Sequence, residues 1–247
     1  GSTAVGKLML QYAGQSNMKK VSLECGGKTP QLFMADLEDM DRAVAAAYNG
    51  IYANMGEVCN AGSRLLVHES IHDDFVERFV AAGQDAYVPG DPMNPETNMG
   101  PLVTREDQQR VLSMIDAGAK EGARLAFGGC VPEGLDSGAY VSPTLFTGVN
   151  NDMSIARQEI FGPVASVMRF KTVEEAIGIA NDTIYGLAAG IWTRDLNLAM
   201  RLVREVQAGT IWINSFDEGD MTQPFGGYKQ SGNGREWGVW GLHDFLE

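Results

Sequence analysis

The chain has 247 residues, of which 44% are hydrophobic and 21% charged, the composition of a globular protein with a sizeable core. Its formal net charge of −13 disfavours nucleic acids and anionic membranes as partners, because both would repel it. No apolar run or signal peptide predicts a membrane segment, and three widely spaced cysteines with three scattered histidines form neither a disulfide framework nor a metal pattern. We therefore expect a cytoplasmic protein without a bound metal.

Hydrophobic periodicity predicts helices that alternate with strands along most of the chain. The predicted helices are 2–18, 40–55, 71–86, 104–121, 173–180 and 196–206. The predicted strands are 21–23, 31–34, 64–68, 164–170, 187–193 and 210–214, with an extended segment at 140–149. This alternation indicates βαβ crossovers and therefore an α/β fold, with a mostly parallel open sheet and flanking helices.

One cysteine lies on a short predicted loop between a helix and a strand. The helix that begins near Met40 should end at Gly56, because glycine adopts the left-handed cap conformation at no steric cost. Cys59 follows among small residues, and Arg64 begins the next strand. A catalytic thiol is usually presented in this way, although a buried structural cysteine is the alternative that the residue alone leaves open.

A carboxylate, Glu24, stands at the end of the predicted strand 21–23, directly before two glycines. Active-site groups of open α/β sheets collect at the carboxyl ends of strands, so Glu24 is a candidate general base. The alternative is a simple ion pair with a lysine such as Lys28.

The segment Gly1-Ser2-Thr3-Ala4-Val5-Gly6-Lys7 permits several interpretations. Most of a P-loop is present, but Leu8 follows the lysine where magnesium binding requires serine or threonine. A second interpretation is a helix start that faces the phosphates of a dinucleotide, since free N–H groups and the positive helix end favour anions. An ordinary capped helix is the third.

A further carboxylate and aromatic pair lies at 159–163. Glu159 is suited to accept hydrogen bonds from two ribose hydroxyls, and Phe161 is suited to pack against a flat ring. By itself this segment is equally typical of a turn before a strand.

Taken together, these segments resemble the NAD(P)-dependent aldehyde dehydrogenases, in the right order and over essentially the whole chain. The other matching segments are 99–102, 181–187, 209–214 and 224–232. Segments 219–222 and 231–235 look most similar to the γ-glutamyl-γ-aminobutyraldehyde dehydrogenases.

The resemblance implies oxidation of an aldehyde to the carboxylic acid through a thiohemiacetal and a thioester. Cys59 would be the nucleophile and Glu24 the base that activates water. The cofactor would be NAD, with NADP left open because its selector is expected upstream. The implied cofactor-binding residues are Gly1, Ser2, Gly6, Cys25, Gly26, Glu159 and Phe161, while Lys28 and Asn214 would be structural supports.

The same resemblance implies a division of the chain. Residues 1–26 would end the dinucleotide-binding domain, 27–223 would form the catalytic domain, and 224–247 would return along the interface. Family chains begin upstream and end later, so we expect truncation at both ends, with an oxyanion-hole asparagine in the missing part. The full-length form is expected to be a homo-oligomer.

Some residues depart from the family pattern, and two alternatives within the family stay open. Cys25 replaces a common leucine, and Met55 and Glu57 replace the usual glutamines. A catalytically incompetent fragment is one alternative. A variant that passes the thioester to another acceptor is the second, although Glu24 argues for hydrolysis.

An acidic stretch precedes the segment at 224–232. Asp217, Glu218 and Asp220 would lie near the substrate tunnel of the resembled family. Three carboxylates there would attract an amine, which suggests an aminoaldehyde substrate. The alternative is a solvated acidic loop.

Overall fold

The computed structural model describes residues 1–246, which form an α/β fold with helices on both faces of a central sheet. The helices are α1 (Thr3–Gln15), α2 (Met40–Tyr52), α3 (His72–Ala86), α4 (Arg105–Lys120), α5 (Ser154–Arg157), α6 (Val173–Asn181), α7 (Leu196–Glu205) and α8 (Gly238–His243). The strands are β1 (Pro30–Phe33), β2 (Arg64–His68), β3 (Arg124–Phe127), β4 (Thr144–Thr147), β5 (Val164–Phe170), β6 (Tyr185–Gly186), β7 (Ala188–Trp192), β8 (Thr210–Ile213) and β9 (Tyr228–Lys229).

The main sheet has seven strands in the order β3-β4-β5-β2-β1-β7-β8. All neighbouring pairs are parallel except β3 with β4. Strands β6 and β9 form a separate antiparallel ribbon. The predicted fold class, a mostly parallel sheet with flanking helices, is confirmed.

Both faces of the central strands are buried, which explains why they are continuously apolar. Successive residues of β2 point to opposite faces: Leu65 joins the cluster that contains Phe75 and Phe79 of α3. Leu66 joins the cluster on the other face, with Val111 of α4. A parallel sheet covered on both sides requires such unbroken hydrophobic runs, and this makes β2 and β5 readable from the sequence.

Helix α2 ends earlier than predicted. Its last residue is Tyr52, and a 3₁₀ turn at Ala53–Gly56 leads into the loop that bears Cys59. Three successive residues of this turn have positive φ, including Gly56 at 70°. The left-handed glycine was predicted correctly, but the chain leaves the helix before it.

The predicted strand at 21–23 is wrong. These residues pair with the C-terminal tail through side chains and isolated bonds rather than through a ladder: Leu23 N–H donates to Asn233 Oδ1 (3.0 Å), and Glu24 forms a single bridge with Gly232. Cys25 N–H donates to the carbonyl of Ser231 at 2.8 Å. The tail thus packs along the segment that presents Glu24.

Helix α1 leaves its apolar residues largely exposed. Val5, Leu8 and Met9 are each more than 40% exposed, whereas Gly6 and Ala13 are buried. Despite these apolar residues, α1 and every other helix in residues 1–246 are too short or too polar to cross a bilayer. The same residues contain no group of three or more His, Cys, Asp and Glu side chains arranged to hold a metal ion.

Candidate active site

The loop that carries Cys59 is held at both ends. At its start, a side chain on Gly56 would collide with the backbone of Gly162, so the glycine is needed for space as well as for its φ. Near its end, Gly62 N–H donates to the carbonyl of Gly50 in α2 at 2.8 Å. The Cys59 thiol, half-buried between these anchors, is presented on a short and fixed segment.

A buried arginine fixes the base of the site. Arg64, the first residue of β2, is fully buried and donates to the carbonyls of Lys28, Ile179 and Ala180, each at 2.9 Å. It also donates to Asn151 Oδ1 at 3.1 Å. Burying a charge is costly unless it is fully hydrogen-bonded, and these four acceptors meet that requirement. Arg64 thereby ties the glycine-rich segment after Glu24 to the strand after Cys59.

One oxygen of the Glu24 carboxyl, Oε1, is buried without a hydrogen-bond partner among residues 1–246, and the proposed ion pair with Lys28 is absent there. Burial, together with the charge of Glu236, raises the pKa of Glu24 to about 7. A carboxyl with such a pKa exchanges protons near neutral pH.

The Cys59 thiol lies close enough to the Glu24 carboxyl for the charge of Glu24 to shift its pKa. Burial raises the pKa of Cys59, and the charge of Glu24 raises it further, while the backbone N–H groups of Asn60 and Cys59 lower it. The two chain segments are in contact, because a side chain on Gly27 would lie 2.5 Å from the carbonyl of Cys59. The structure thus brings the two predicted catalytic residues together.

A pocket of about 330 Å³ opens in front of Cys59. Phe225, Trp212 and Trp237 provide apolar lining, and Glu236 also lines the pocket. Glu24 does not line this pocket but lies behind it: a side chain on Gly226 would come within 2.8 Å of its Oε1.

Glu159 lies against Gly26 and Gly27 and is held in place. Its Oε1 accepts a hydrogen bond from Gly27 N–H at 3.0 Å, and any side chain on Gly26 would overlap its carboxylate. Burial raises the pKa of Glu159, and the Gly27 hydrogen bond and the Lys28 charge oppose that rise. Its other oxygen makes no hydrogen bond within residues 1–246, which leaves an acceptor for an outside donor.

Phe161 and Lys28 flank this carboxylate differently. Phe161 has a φ of 51° and is 39% exposed, so its ring faces outward at the rim. Lys28 is 2% exposed, and its ammonium has no hydrogen-bond partner among residues 1–246. Burial and the charge of Arg64 lower the pKa of Lys28 to about 7, against the opposing charge of Glu159.

The start of α1 adjoins the same region. Ser2 caps the helix by accepting a hydrogen bond from Val5 N–H (3.3 Å), and a side chain on Gly6 would meet Cys25 Sγ at 3.1 Å. The Gly1 amino group donates to the carbonyl of Glu24 at 2.7 Å. All seven predicted cofactor-binding residues therefore lie on contacting segments.

The P-loop interpretation is wrong. Lys7 lies within α1, and Gly6 donates to the carbonyl of Ser2 as part of that helix. A P-loop would require these residues to form an open loop whose N–H groups cradle phosphate.

The acidic loop lies against the Cys59 pocket. Asp217, Glu218 and Asp220 all line it. Asn60, directly after the cysteine, donates its side-chain N–H to Asp217 Oδ1 at 2.7 Å. Sequence reasoning missed Asn60 and Glu236 as site residues. Their only local signals were the position of Asn60 beside the cysteine and an acid in the glycine-rich tail.

Comparison with known proteins agrees with this geometry. The model of the aldehyde dehydrogenase family matches residues 1–247. Aldehyde dehydrogenase 1A1 of Oryctolagus cuniculus is 47% identical over the whole chain, which covers 49% of that relative. A solved structure of indole-3-acetaldehyde dehydrogenase with NAD+ is 51% identical with a TM-score of 0.98, and the whole chain matches 50% of it. Gamma-glutamyl-gamma-aminobutyraldehyde dehydrogenase from Burkholderia cenocepacia J2315 is 52% identical with a TM-score of 0.95, over 99% of this chain and 49% of that one.

The chain belongs to the aldehyde dehydrogenase family, which confirms the resemblance drawn from its motifs. It spans about half the length of the curated relatives it matches.

Proposed function

We propose that this chain forms the thiol-bearing part of an NAD-dependent enzyme that oxidises an aldehyde to the carboxylic acid. The observation that carries the proposal is the proximity of Cys59 to Glu24, a thiol that feels the charge of a carboxyl whose Oε1 is buried without a hydrogen bond in residues 1–246. Membership of the aldehyde dehydrogenase family supports the same reaction.

The chain's own residues supply a nucleophile and a base. Cys59 Sγ, as thiolate, bonds to the aldehyde carbon, and the N–H groups of Cys59 and Asn60 stabilise negative charge at the sulfur. The carbon then loses hydride and becomes a thioester. Glu24 takes a proton from water as the water oxygen bonds to that carbon; the C–S bond breaks, and the acid leaves.

The residues on the cofactor side fit NAD. Glu159 offers a positioned carboxylate acceptor for ribose hydroxyls, Phe161 an outward ring, and the Ser2-capped start of α1 a positive helix end for phosphates. Gly26 leaves no room for a side chain beside Glu159. When bound, NAD accepts the hydride. Relatives solved with NAD+ support this cofactor.

We further propose an aldehyde that carries an amine. Asp217, Glu218 and Asp220 line the pocket of Cys59, and Trp212 and Trp237 line it too. Carboxylates and aromatic faces together attract ammonium groups. The similarity to a protein named for an aminoaldehyde derivative supports this class of substrate.

The test of the reaction uses the complete gene product, NAD and a panel of aldehydes. We expect acid formation in the wild type and none with Cys59→Ala, whereas Cys130→Ala, which alters an exposed thiol, should retain activity. Turnover by Cys59→Ala would contradict the proposal. Calorimetric titration of the 247-residue chain with NAD separates a cofactor-binding unit from an incompetent fragment, which would show no heat of binding.

The test of the substrate class neutralises the acidic loop with Asp217→Asn, Glu218→Gln and Asp220→Asn together. The KM for cationic aldehydes should rise about 10-fold while the KM for neutral aldehydes of equal length changes little, because only the former lose an ion contact. Equal changes for both would refute selection by charge.

We also propose domain bounds, an oligomeric state and a cellular location for this chain. We propose that 1–26 ends the cofactor domain, 27–223 is the catalytic domain and 224–247 is the return segment; the hydrogen bonds between the tail and residues 20–25 support this. The exposed Trp240, Leu242 and Phe245 support a homo-oligomer, to be checked by analytical ultracentrifugation. Three free cysteines support a reducing, cytoplasmic location.

A further inference from the structure

The acidic loop is anchored in a way that a merely solvated loop would not require. Asn214, with a φ of 52°, exchanges two hydrogen bonds with the backbone of Thr193, at 2.9 and 3.0 Å. Trp212 Nε1 donates to the carbonyl of Glu218 at 2.6 Å. Between these points, Phe216 is 9% exposed and belongs to the core. The loop therefore has one defined path over α2.

The acidic loop and the loop that bears Cys59 (residues 57–63, the cysteine loop) both contact the same residue of α2. Gly50 accepts the hydrogen bond from Gly62 of the cysteine loop. A side chain on Gly50 would lie 2.6 Å from the Phe216 ring, so the glycine also makes room for the acidic loop. The shared contact with Gly50 therefore holds the two loops side by side, although more than 150 residues separate Asn60 from Asp217 in the chain.

One direct side-chain bond joins the two loops. Asn60 is 6% exposed, and its Nδ2 donates to Asp217 Oδ1 at 2.7 Å. Asp217 has a φ of 57°, a left-handed conformation that costs a non-glycine residue energy and turns its side chain back towards Asn60. Neither Glu218 nor Asp220 holds a residue of the cysteine loop by such a bond in residues 1–246.

We propose that Asp217 is a positioning residue that holds the nucleophile through Asn60, whereas Glu218 and Asp220 act on the substrate's charge. Asn60 follows Cys59 directly in the chain, and its backbone N–H lowers the pKa of the Cys59 thiol. A bond that immobilises the Asn60 side chain therefore also fixes a donor that favours the thiolate. This inference divides the acidic loop of the proposed function into two roles and rests on that function for its effect on turnover.

The first test measures the nucleophile without turnover. The rate of Cys59 alkylation by iodoacetamide, resolved from Cys25 and Cys130 by peptide mass spectrometry, is followed against pH in the 247-residue chain. Asp217→Ala should slow alkylation about 3–10-fold at neutral pH and move the profile to higher pH, because the thiolate loses an aligned donor. Asp217→Asn keeps an oxygen acceptor for Asn60 and should retain a rate within about twofold of the wild type.

A double-mutant cycle then identifies the path of the effect. If Asp217 acts through Asn60, Asp217→Ala should have no further effect in an Asn60→Ala background. Asp116→Ala, which removes one exposed carboxylate from α4, is the control for net charge and should leave the alkylation rate unchanged. Additive effects of the two alanine substitutions, or equal slowing by Asp217→Asn and Asp217→Ala, would overturn the proposal.

The second test uses the complete enzyme and separates this proposal from the proposed function. Asp217→Ala should lower kcat for neutral and cationic aldehydes alike, while Glu218→Gln should raise the KM for cationic aldehydes alone. If Cys59→Ala remained active, the proposed function would fail even if the alkylation results held. If Asp217→Ala changed only the KM for cationic aldehydes and left alkylation unchanged, the positioning role would fail while the proposed function stood. Circular dichroism confirms that each variant is folded.

Discussion

The charges of two carboxyl groups, Glu24 and Glu159, raise the pKa of the Cys59 thiol, and the two groups differ in their hydrogen bonding. Glu159 is held by Gly27 N–H and lies in the field of the Lys28 ammonium. Glu24 is also withdrawn from water, but its Oε1 has no hydrogen bond within residues 1–246. Burial raises the pKa of both. The Gly27 N–H and the Lys28 charge oppose that rise at Glu159, and the Gly227 N–H and the Arg235 charge oppose it at Glu24, whose pKa still reaches about 7.

Two residues of the same type thus acquire different chemical properties from their surroundings. A carboxylate with fixed partners keeps its geometry and its charge, which suits it to hold a ligand's hydroxyl groups. Burial raises the pKa of Glu24 to about 7 and leaves its Oε1 without a hydrogen bond in residues 1–246, which suits this carboxyl to move protons. We therefore propose that Glu159 binds the cofactor and Glu24 transfers protons, and each of the following variants tests these two roles.

The largest effect is expected from Glu24→Gln in the complete enzyme. An amide cannot take a proton from water, so kcat should fall about 10²–10⁴-fold. In the wild type, kcat should rise with pH around a midpoint of about 7, because Glu24 is ionised above its pKa, and the variant should lose this rise. Kinetics of reduced-cofactor formation over pH 5–9 check both points, and an unchanged kcat would remove the base from this position.

A smaller effect, confined to cofactor affinity, is expected from Glu159→Gln. The variant loses charge-assisted hydrogen bonds to the ribose, so the KM for NAD should rise about 10-fold. Its kcat should fall far less than that of Glu24→Gln. Steady-state kinetics with varied NAD give both quantities. A greater loss in kcat than in affinity would reverse the roles of the two carboxyl groups.

Replacing Lys28 with methionine should make the pKa of Glu159 more like that of Glu24, because it removes a charge that lowers the pKa of Glu159. Without the lysine charge, the pKa of Glu159 should rise further, so a smaller fraction is ionised at a given pH. The KM for NAD should then increase about 2–5-fold near pH 6 and recover towards pH 8. A KM that changes equally at both pH values would show that Lys28 acts through packing rather than charge.

The smallest effect is expected on stability. Glu24→Gln, which is expected to lower kcat, should raise the melting temperature at high pH. The folded pKa of Glu24 lies above its ordinary value, so its stabilising contribution is present below pH 4.5 and is lost as pH rises through about 7. Glu24→Gln should therefore raise Tm by about 2–4 °C at pH 8, since solvent screens part of the penalty, and by nearly nothing at pH 5. Thermal denaturation at the two pH values measures this. A lower Tm at pH 8 would indicate that the carboxylate stabilises the fold.

Much of the architecture was predictable because it depends on local and repetitive features. The bounds of β2 and β5 agree with the prediction, since parallel strands buried on both faces require uninterrupted apolar residues. The cap of α4 is equally local, because Thr104 accepts a hydrogen bond from Asp107 N–H, three residues further on, at 3.1 Å. The segment at 21–23 has similar apolar character but no ladder, because its partners are irregular tail residues far along the chain.

By itself, the sequence determined the α/β class, the loop that presents Cys59, the family, and the carboxylates and glycines that accompany the thiol. These depend on periodicity, on glycine conformations and on the order of short motifs. The tertiary structure was needed to show that Glu24 Oε1 lacks a hydrogen bond in residues 1–246 while Glu159 Oε1 accepts one, and that Asn60 meets Asp217. The physical reason is that burial, electrostatic fields and hydrogen-bond partners arise from segments distant in the chain, whose approach no local pattern specifies.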